Sequence, residues 1–124
     1  MKHNESSLQI SCVTWFRAQY PKYAGLLFAI PNGGKRSVIT ATIMKREGAL
    51  AGVADLFFAK PIHHENVGHK YQGDSGLFIE VKFGKGKQSE SQKLFQKSVT
   101  EQGYAYEAIY DFDSFKKLIE EYLR

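Results

Sequence analysis

The chain has 124 residues, enough for one hydrophobic core and too few for two. Its aromatic content of 14% argues against disorder, and its net charge of +4 suits a polyanionic partner without identifying one. The single cysteine, Cys12, excludes an internal disulfide and a cysteine-based zinc site. Because the chain begins without a signal-like or long apolar segment, we expect a cytoplasmic protein with no membrane partner.

The first half of the chain alternates helix and strand. Spacing of apolar residues predicts helices over residues 4–19 and 37–47, the first of them capped by Asn4. Short apolar runs predict strands over residues 25–30 and 53–58. A polar loop rich in histidine and glycine should then lead to the second half.

The second half begins with a strand over residues 77–83. A capping box at Ser89 starts a helix that runs to about Gly103, and alternation predicts a strand over residues 104–110. Asp113 is the expected cap of a last helix with an apolar stripe, which consists of Phe115, Leu118, Ile119 and Tyr122. The order α-β-α-β-β-α-β-α predicts an α/β fold in which helices flank a central mixed sheet.

The strand over residues 77–83 carries two charges within the most hydrophobic segment of the chain. Alternation places Glu80 and Lys82 on one face. The other face is apolar and consists of Leu77, Ile79, Val81 and Phe83. Because charges are rarely buried without a partner or a metal ion, the pair is a candidate site. A purely structural salt bridge of Lys82 with one carboxylate is the alternative.

Asp55 lies inside the predicted strand 53–58. Sequential strands are often neighbours, so pairing with the next strand would bring Asp55 beside Glu80. Two carboxylates and a lysine are the components of a Mg²⁺ or Mn²⁺ site for phosphodiester hydrolysis, because hard cations take oxygen ligands. Lys82 would orient or help to deprotonate a water molecule, or stabilise developing charge.

Two further polar residues each have two possible roles. Glu5 shares the core-facing stripe of the first helix with Leu8, so it either reaches the metal site or only interacts with the helix dipole. Gln92 either completes the capping box with Ser89 or faces inward to reach water or phosphate beside the metal.

These residues fall in ordered blocks that resemble the VRR-NUC family of the PD-(D/E)xK nuclease superfamily. The resemblance extends from about residue 5 to residue 122. Its blocks are Glu5, Ile30–Arg36, Lys45–Gly48, Gly52-Val53-Ala54-Asp55, Glu80-Val81-Lys82 and Ser89-Glu90-Ser91-Gln92. The family usually has proline where this chain has Ala54, a difference that removes no ligand and affects only the local strand bend.

The resemblance implies one VRR-NUC domain over residues 1–124, with a restriction-endonuclease-like core and metal-dependent cleavage of DNA by Mg²⁺ or Mn²⁺. It implies that the catalytic residues are Glu5, Asp55, Glu80, Lys82 and Gln92. The metal ligands would be Asp55, Glu80 and the backbone carbonyl of Val81, with Glu5 acting through water. Stand-alone members of phages and bacteria are similar to Holliday-junction resolvases. We therefore expect a homodimer that acts on branched DNA in a bacterial or phage-infected cell.

Basic residues, two glycines and one asparagine are candidates for contacts with DNA phosphates. They are Asn32, Gly33, Gly34, Lys35, Arg36, Lys45, Lys85 and Lys87. Solvated turns are the alternative at these positions. Because neither glycine-rich stretch completes a P-loop, nucleoside triphosphate hydrolysis is excluded.

Other residues of the polar loop have simpler interpretations. His63, His64 and His69 lack metal-ligand spacing, so we expect exposed loop histidines. Tyr71 is a candidate for stacking on an unpaired base. The alternative function for the whole chain is a non-catalytic DNA-binding or partner-recruiting module, although such a module has no need to keep buried charges.

Overall fold

A computed structural model of the protein describes residues 4–31 and 37–124. In these ranges the regular elements are α1 (Glu5–Gln19), β1 (Leu27–Ala29), α2 (Val38–Arg46), β2 (Leu56–Phe58), β3 (Leu77–Val81), α3 (Glu90–Glu101), β4 (Ala105–Ile109) and α4 (Phe112–Tyr122). Their order confirms the prediction. None of the helices in the described ranges is both long and apolar enough to span a membrane.

The strands form one mixed sheet in the order β1-β2-β3-β4. β2 pairs antiparallel with β1 and with β3, whereas β3 and β4 are parallel. A parallel pair needs a long crossover connection, and α3 provides it. The predicted pairing of the second and third strands is confirmed, with Leu56 opposite Ile79. Because the two strands are antiparallel, the start of β2 lies beside the end of β3.

The main core lies on the face of the sheet that packs against α1 and α4. Phe16 of α1 meets Phe58 of β2 with ring centroids 5.2 Å apart. The predicted apolar stripe of the last helix is confirmed, because all four of its side chains are buried. Burial of each such side chain stabilises the fold by about 1.5–3 kcal/mol. On the opposite face, Phe95 of α3 packs against Phe78 at 5.1 Å.

Two element boundaries differ from the prediction. The strand expected over residues 25–30 is shorter, because Pro21–Leu26 forms a 3-10 helix before it. The cap of α4 is Asp111 rather than Asp113: Asp111 has extended backbone angles and its carboxylate accepts from the backbone N–H of Ser114 at 2.7 Å. Asp113 already lies in the first turn, where its own backbone is helical.

Two aromatic residues also lie elsewhere than expected. Phe83 does not extend the apolar face, because β3 ends at Val81 and the chain turns at Gly84, which leaves Phe83 43% exposed. Tyr71 is buried, and its hydroxyl donates to Glu107 at 2.6 Å. The prediction that Tyr71 stacks on a base is therefore wrong.

Candidate active site

Asp55 stands immediately before β2, one residue outside the strand that was predicted to contain it. The antiparallel register places it next to the end of β3, where the backbone N–H of Val81 donates to its Oδ2 at 2.7 Å. Its own backbone carbonyl accepts from the N–H of Ile30 at 2.9 Å. These two bonds fix Asp55 between β1 and β3, beside the strand that carries Glu80.

Glu80 and Lys82 form a buried ion pair at the end of β3. Glu80 is 1% and Lys82 8% exposed, and Lys82 Nζ lies 3.2 Å from Glu80 Oε2. The salt bridge kept as the structural alternative therefore exists. Burial of two charges is costly, and such a pair is often no more stable than a hydrophobic replacement. Stability alone is a weak reason for its presence, which favours a functional role.

Gln92 completes the predicted capping box and also binds Lys82, whereas its predicted contact with water or phosphate beside a metal stays a prediction. Its Oε1 accepts from the backbone N–H of Ser89 at 2.7 Å, which completes the capping box of α3. The same oxygen accepts from Lys82 Nζ at 2.8 Å. An amide oxygen has two lone pairs, so one atom serves both bonds. The start of α3 thereby holds the lysine in place.

Gly52 explains how the start of α3 comes so close to the segment that leads into Asp55. It has a φ of +87°, and a Cβ built on it would lie 2.4 Å from the backbone C and O of Ser91. Only a residue without a side chain fits this approach. Gly52 therefore sets the distance between the Asp55 segment and the first turn of α3.

Tyr106 of β4 belongs to the site and was missed by the sequence analysis. Its hydroxyl donates a short hydrogen bond to Glu80 Oε1. Burial, reinforced by this bond, raises the pKa of Tyr106 well above its usual range, so the hydroxyl keeps its proton. Register is what reveals this residue: Tyr106 pairs with Phe78 and so lies on the same face as Glu80, one diagonal step away.

Glu5 reaches the neighbourhood of the site from the first turn of α1, where it is exposed. Glu5 and Asp55 line the same cleft, which has a volume of about 910 Å³ and extends along α1. Burial raises the pKa of the Asp55 carboxyl, and the charges of Glu80 and Glu5 add to that rise. The hydrogen bond from Val81 and the charge of Lys82 act in the opposite direction.

The chemistry of these side chains fits a hard divalent cation. Asp55 and Glu80 offer carboxylate oxygens at one end of the sheet. Glu80 Oε2 is buried, and although Lys82 is near, this oxygen accepts no well-aligned hydrogen bond from the part of the chain that the structure describes. Across residues 4–31 and 37–124, no three His, Cys, Asp or Glu side chains are grouped to hold a metal. A cation here would need backbone or water oxygens besides the two carboxylates, which Mg²⁺ readily takes.

The remaining predicted residues lie farther from this cluster or outside the described residues. Lys85 and Lys87 are exposed in the turn after β3, and Lys45 is exposed in the last turn of α2. The candidates over residues 32–36, Asn32, Gly33, Gly34, Lys35 and Arg36, lie outside the described residues. No structural finding tests whether Lys45, Lys85 and Lys87 contact DNA, so that role stays a prediction.

The predicted exposure of the loop histidines is confirmed for two of the three. His63 and His64 are exposed. His69 is half-buried, because its Nδ1 accepts from the backbone N–H of Tyr71 at 3.0 Å and holds the ring against the loop.

Among solved structures, the chain is similar to a VRR_NUC domain protein with a TM-score of 0.78 and 21% sequence identity. The similarity covers 99% of this chain and 90% of the other. No protein-family model and no curated protein matches the sequence. At this identity the similarity establishes the three-dimensional arrangement of the chain: it has the fold of a VRR_NUC domain protein.

Proposed function

We propose that this chain is a divalent-metal-dependent endonuclease that hydrolyses DNA phosphodiester bonds. The supporting observation is the convergence of side chains from three separate segments at one end of the sheet: Asp55, the Glu80–Lys82 pair and Gln92. The chain has the fold of a VRR_NUC domain protein, and its motifs resemble those of that nuclease family. A module that only binds DNA would gain little from two buried charges.

In the proposed mechanism, Asp55 and Glu80 would hold Mg²⁺ or Mn²⁺, together with the backbone carbonyl of Val81. Such a cation would supply a bound water of lowered pKa and a positive charge opposite the phosphate. Lys82 is kept in place by Gln92 and Glu80, so its ammonium group can orient the attacking water or stabilise developing negative charge. Glu5, on the wall of the adjoining cleft, would act through a water molecule.

The proposed substrate is branched DNA, including four-way junctions, cut by a homodimer. This part of the proposal comes from the resemblance to stand-alone members of the family. Two active sites related by two-fold symmetry would suit the symmetric cuts that a four-way junction requires. Lys85 and Lys87 are exposed in the turn after β3, and in this proposal they contact backbone phosphates without reading sequence.

The first test is cleavage of a labelled panel of linear duplex, single strand, flap and four-way junction, with Mg²⁺, with Mn²⁺ and with chelator. We expect metal-dependent cutting by the wild type. Lys82→Ala should cut slower by about 10²–10⁴-fold, the range for loss of a positioned acid–base or electrostatic group. Circular dichroism in the assay buffer establishes that the variant is folded.

The panel separates the proposal from its alternative. Binding of every substrate without cutting would support the non-catalytic module and contradict the nuclease. Cutting by Lys82→Ala at the wild-type rate would contradict the role given to the lysine. Paired symmetric cuts in the junction would support the homodimer, whereas single cuts spread over all substrates would contradict it.

A further inference from the structure

A chain of polar side chains leads from α3 to Glu80. Gln88 Nε2 donates to Gln96 Oε1 at 2.8 Å and to the hydroxyl of Tyr106 at 3.1 Å. The Tyr106 hydroxyl in turn donates to Glu80 Oε1. All of its members are buried or half-buried. The mechanism proposed above does not use Tyr106, Gln88 or Gln96.

The direction of these bonds is fixed by the groups themselves. A carboxylate only accepts hydrogen bonds, so the Tyr106 hydroxyl donates its single proton to Glu80 and must itself accept from Gln88. The amide nitrogen of Gln88 therefore faces Tyr106, and its second hydrogen is donated to Gln96 Oε1. Polar groups linked in this way in a low-dielectric interior polarise one another and strengthen each bond.

The effect on Glu80 differs between its two oxygens. Oε1 accepts from Tyr106, whereas Oε2 has Lys82 nearby but no well-aligned donor among the described residues. A carboxylate held at one oxygen cannot turn freely about its terminal bond. The Tyr106 hydroxyl therefore fixes the rotation of the Glu80 carboxylate and leaves Oε2 for a ligand.

We infer that Tyr106 is a positioning residue that holds Glu80 so that Oε2 is the oxygen presented to the divalent cation, with Gln88 and Gln96 orienting the tyrosine hydroxyl. The inference rests on the proposed nuclease function and extends it to residues that touch neither metal nor DNA. Partners that orient a ligand are worth about 10–100-fold in metal affinity when they are removed.

Tyr106→Phe tests this role, because it removes the hydroxyl and keeps the ring that packs against Phe95. Isothermal titration of the metal-free protein with Mn²⁺ should give a Kd weaker by about ten-fold. Gln88→Met removes the upstream donor at similar volume and should weaken the Kd by less, since Tyr106 can still reach Glu80. Tyr104→Phe is the matched control: it makes the same change two residues away, on a ring that packs against Phe57 and Phe78.

Cleavage supplies a second readout that a purely structural role would not move. Tyr106→Phe should cut more slowly at limiting Mn²⁺ and recover most of the wild-type rate at saturating Mn²⁺, with KM for DNA unchanged. A Kd equal to that of the wild type and of Tyr104→Phe would overturn the inference. So would a rate that stays low at every Mn²⁺ concentration. Gln88→Met is measured independently, so the inference can still be tested if Tyr106→Phe folds poorly. In that case, a Kd for Mn²⁺ in Gln88→Met equal to that of the wild type overturns the inference.

Measurements on the wild type distinguish failure of the positioning role of Tyr106 from failure of the proposed nuclease function. If the wild type binds Mn²⁺ and cuts DNA while the Tyr106 and Gln88 variants behave like it, only the positioning role is wrong. If the wild type neither binds Mn²⁺ nor cuts any substrate, the nuclease proposal fails, and the positioning role fails with it.

Discussion

The two halves of the proposed site are built differently. The inner half, consisting of Glu80, Lys82, Gln92 and Tyr106, is buried or half-buried and joined by side-chain hydrogen bonds and an ion pair. The outer half, consisting of Asp55 and Glu5, borders an open cleft. In the inner half a positive charge offsets the Glu80 carboxylate, whereas in the outer half burial, together with the charges of Glu80 and Glu5, raises the pKa of Asp55 against the opposing charge of Lys82.

The difference shows that the inner half provides positioned side chains, whereas the outer half provides negative charge that still needs compensation. The inner half is organised by the fold itself, so its side chains need little rearrangement before chemistry. The outer half places Asp55 near two other carboxylates at a partly buried position, and within residues 4–31 and 37–124 it forms no ion pair, so the charge of Lys82 offsets the repulsion only from a distance. A divalent ion would relieve that repulsion, and three variants test the contrast between the halves.

The largest effect should come from removing the positive charge of the inner half. Lys82→Ala leaves Glu80 buried without its ion-pair partner, a type of change that costs about 3–5 kcal/mol. Urea unfolding of the metal-free protein measures this loss. Added Mn²⁺ should restore part of the stability, because an ion that binds only the folded state shifts the equilibrium toward it.

Lys85→Ala is the control for that experiment. Lys85 is exposed in the turn after β3, so its loss should change the free energy of unfolding by less than about 0.5 kcal/mol. Equal stabilities of the two variants would mean that the Glu80–Lys82 pair is solvated and that the inner half is not preorganised.

An intermediate effect is expected at Gly52, where the segment leading into the outer half touches the inner one. Gly52→Ala puts a Cβ 2.4 Å from the Ser91 backbone, at a φ of +87° that side chains rarely adopt. Overpacking and strain of this kind cost about 1–3 kcal/mol. Because the first turn of α3 must move, Lys82 loses its anchor on Gln92 and cleavage should slow as well.

Gly48→Ala distinguishes backbone strain from overpacking against Ser91 as the cause of the lost stability. Gly48 also has a positive φ, +110°, but a Cβ there would meet no atom of residues 4–31 or 37–124 within 4 Å. This variant should therefore incur backbone strain alone and leave cleavage unchanged. If Gly52→Ala and Gly48→Ala lose the same stability and activity, the close approach to Ser91 does not hold the site together.

Local sequence signals account for most of what could be predicted. The capping box at Ser89 and the alternating pattern around Glu80 depend on neighbours in the chain, and both are found as expected. The proximity of Asp55 to the end of β3 followed from the pairing of sequential strands. Where two acids stood close together, as Asp111 and Asp113 do, composition alone did not decide which one caps the helix.

The missed residues depend on contacts between distant segments. Tyr106 meets Glu80 only because β4 runs parallel to β3 with Phe78 opposite Tyr106. That register is set by the α3 crossover and by core packing, neither of which is written in a local pattern. Gln88 was missed for the same reason, since its partners lie 8 and 18 residues away.

The smallest and most discriminating effect should come from the outer half. Asp55→Asn keeps an oxygen for the Val81 N–H and removes the charge. Burial raises the pKa of Asp55 in the folded protein above the ordinary value of 3.8, so the folded state binds its proton more tightly than the unfolded state. Stability is therefore lost as pH rises above 3.8, and the loss is complete once the pH has passed the raised pKa.

Without metal at neutral pH, Asp55→Asn should accordingly be more stable than the wild type, by less than about 1 kcal/mol because water in the cleft screens the charge. The advantage should vanish below pH 3.8, where Asp55 is protonated in both states. With Mn²⁺ the order should reverse, since the wild type gains binding energy that the variant cannot. Thermal melts across pH, with and without Mn²⁺, measure the stability difference at neutral pH, its loss below pH 3.8 and its reversal by the metal. A variant less stable than the wild type in metal-free buffer would show that Asp55 stabilises the fold, and the contrast between the halves would be wrong.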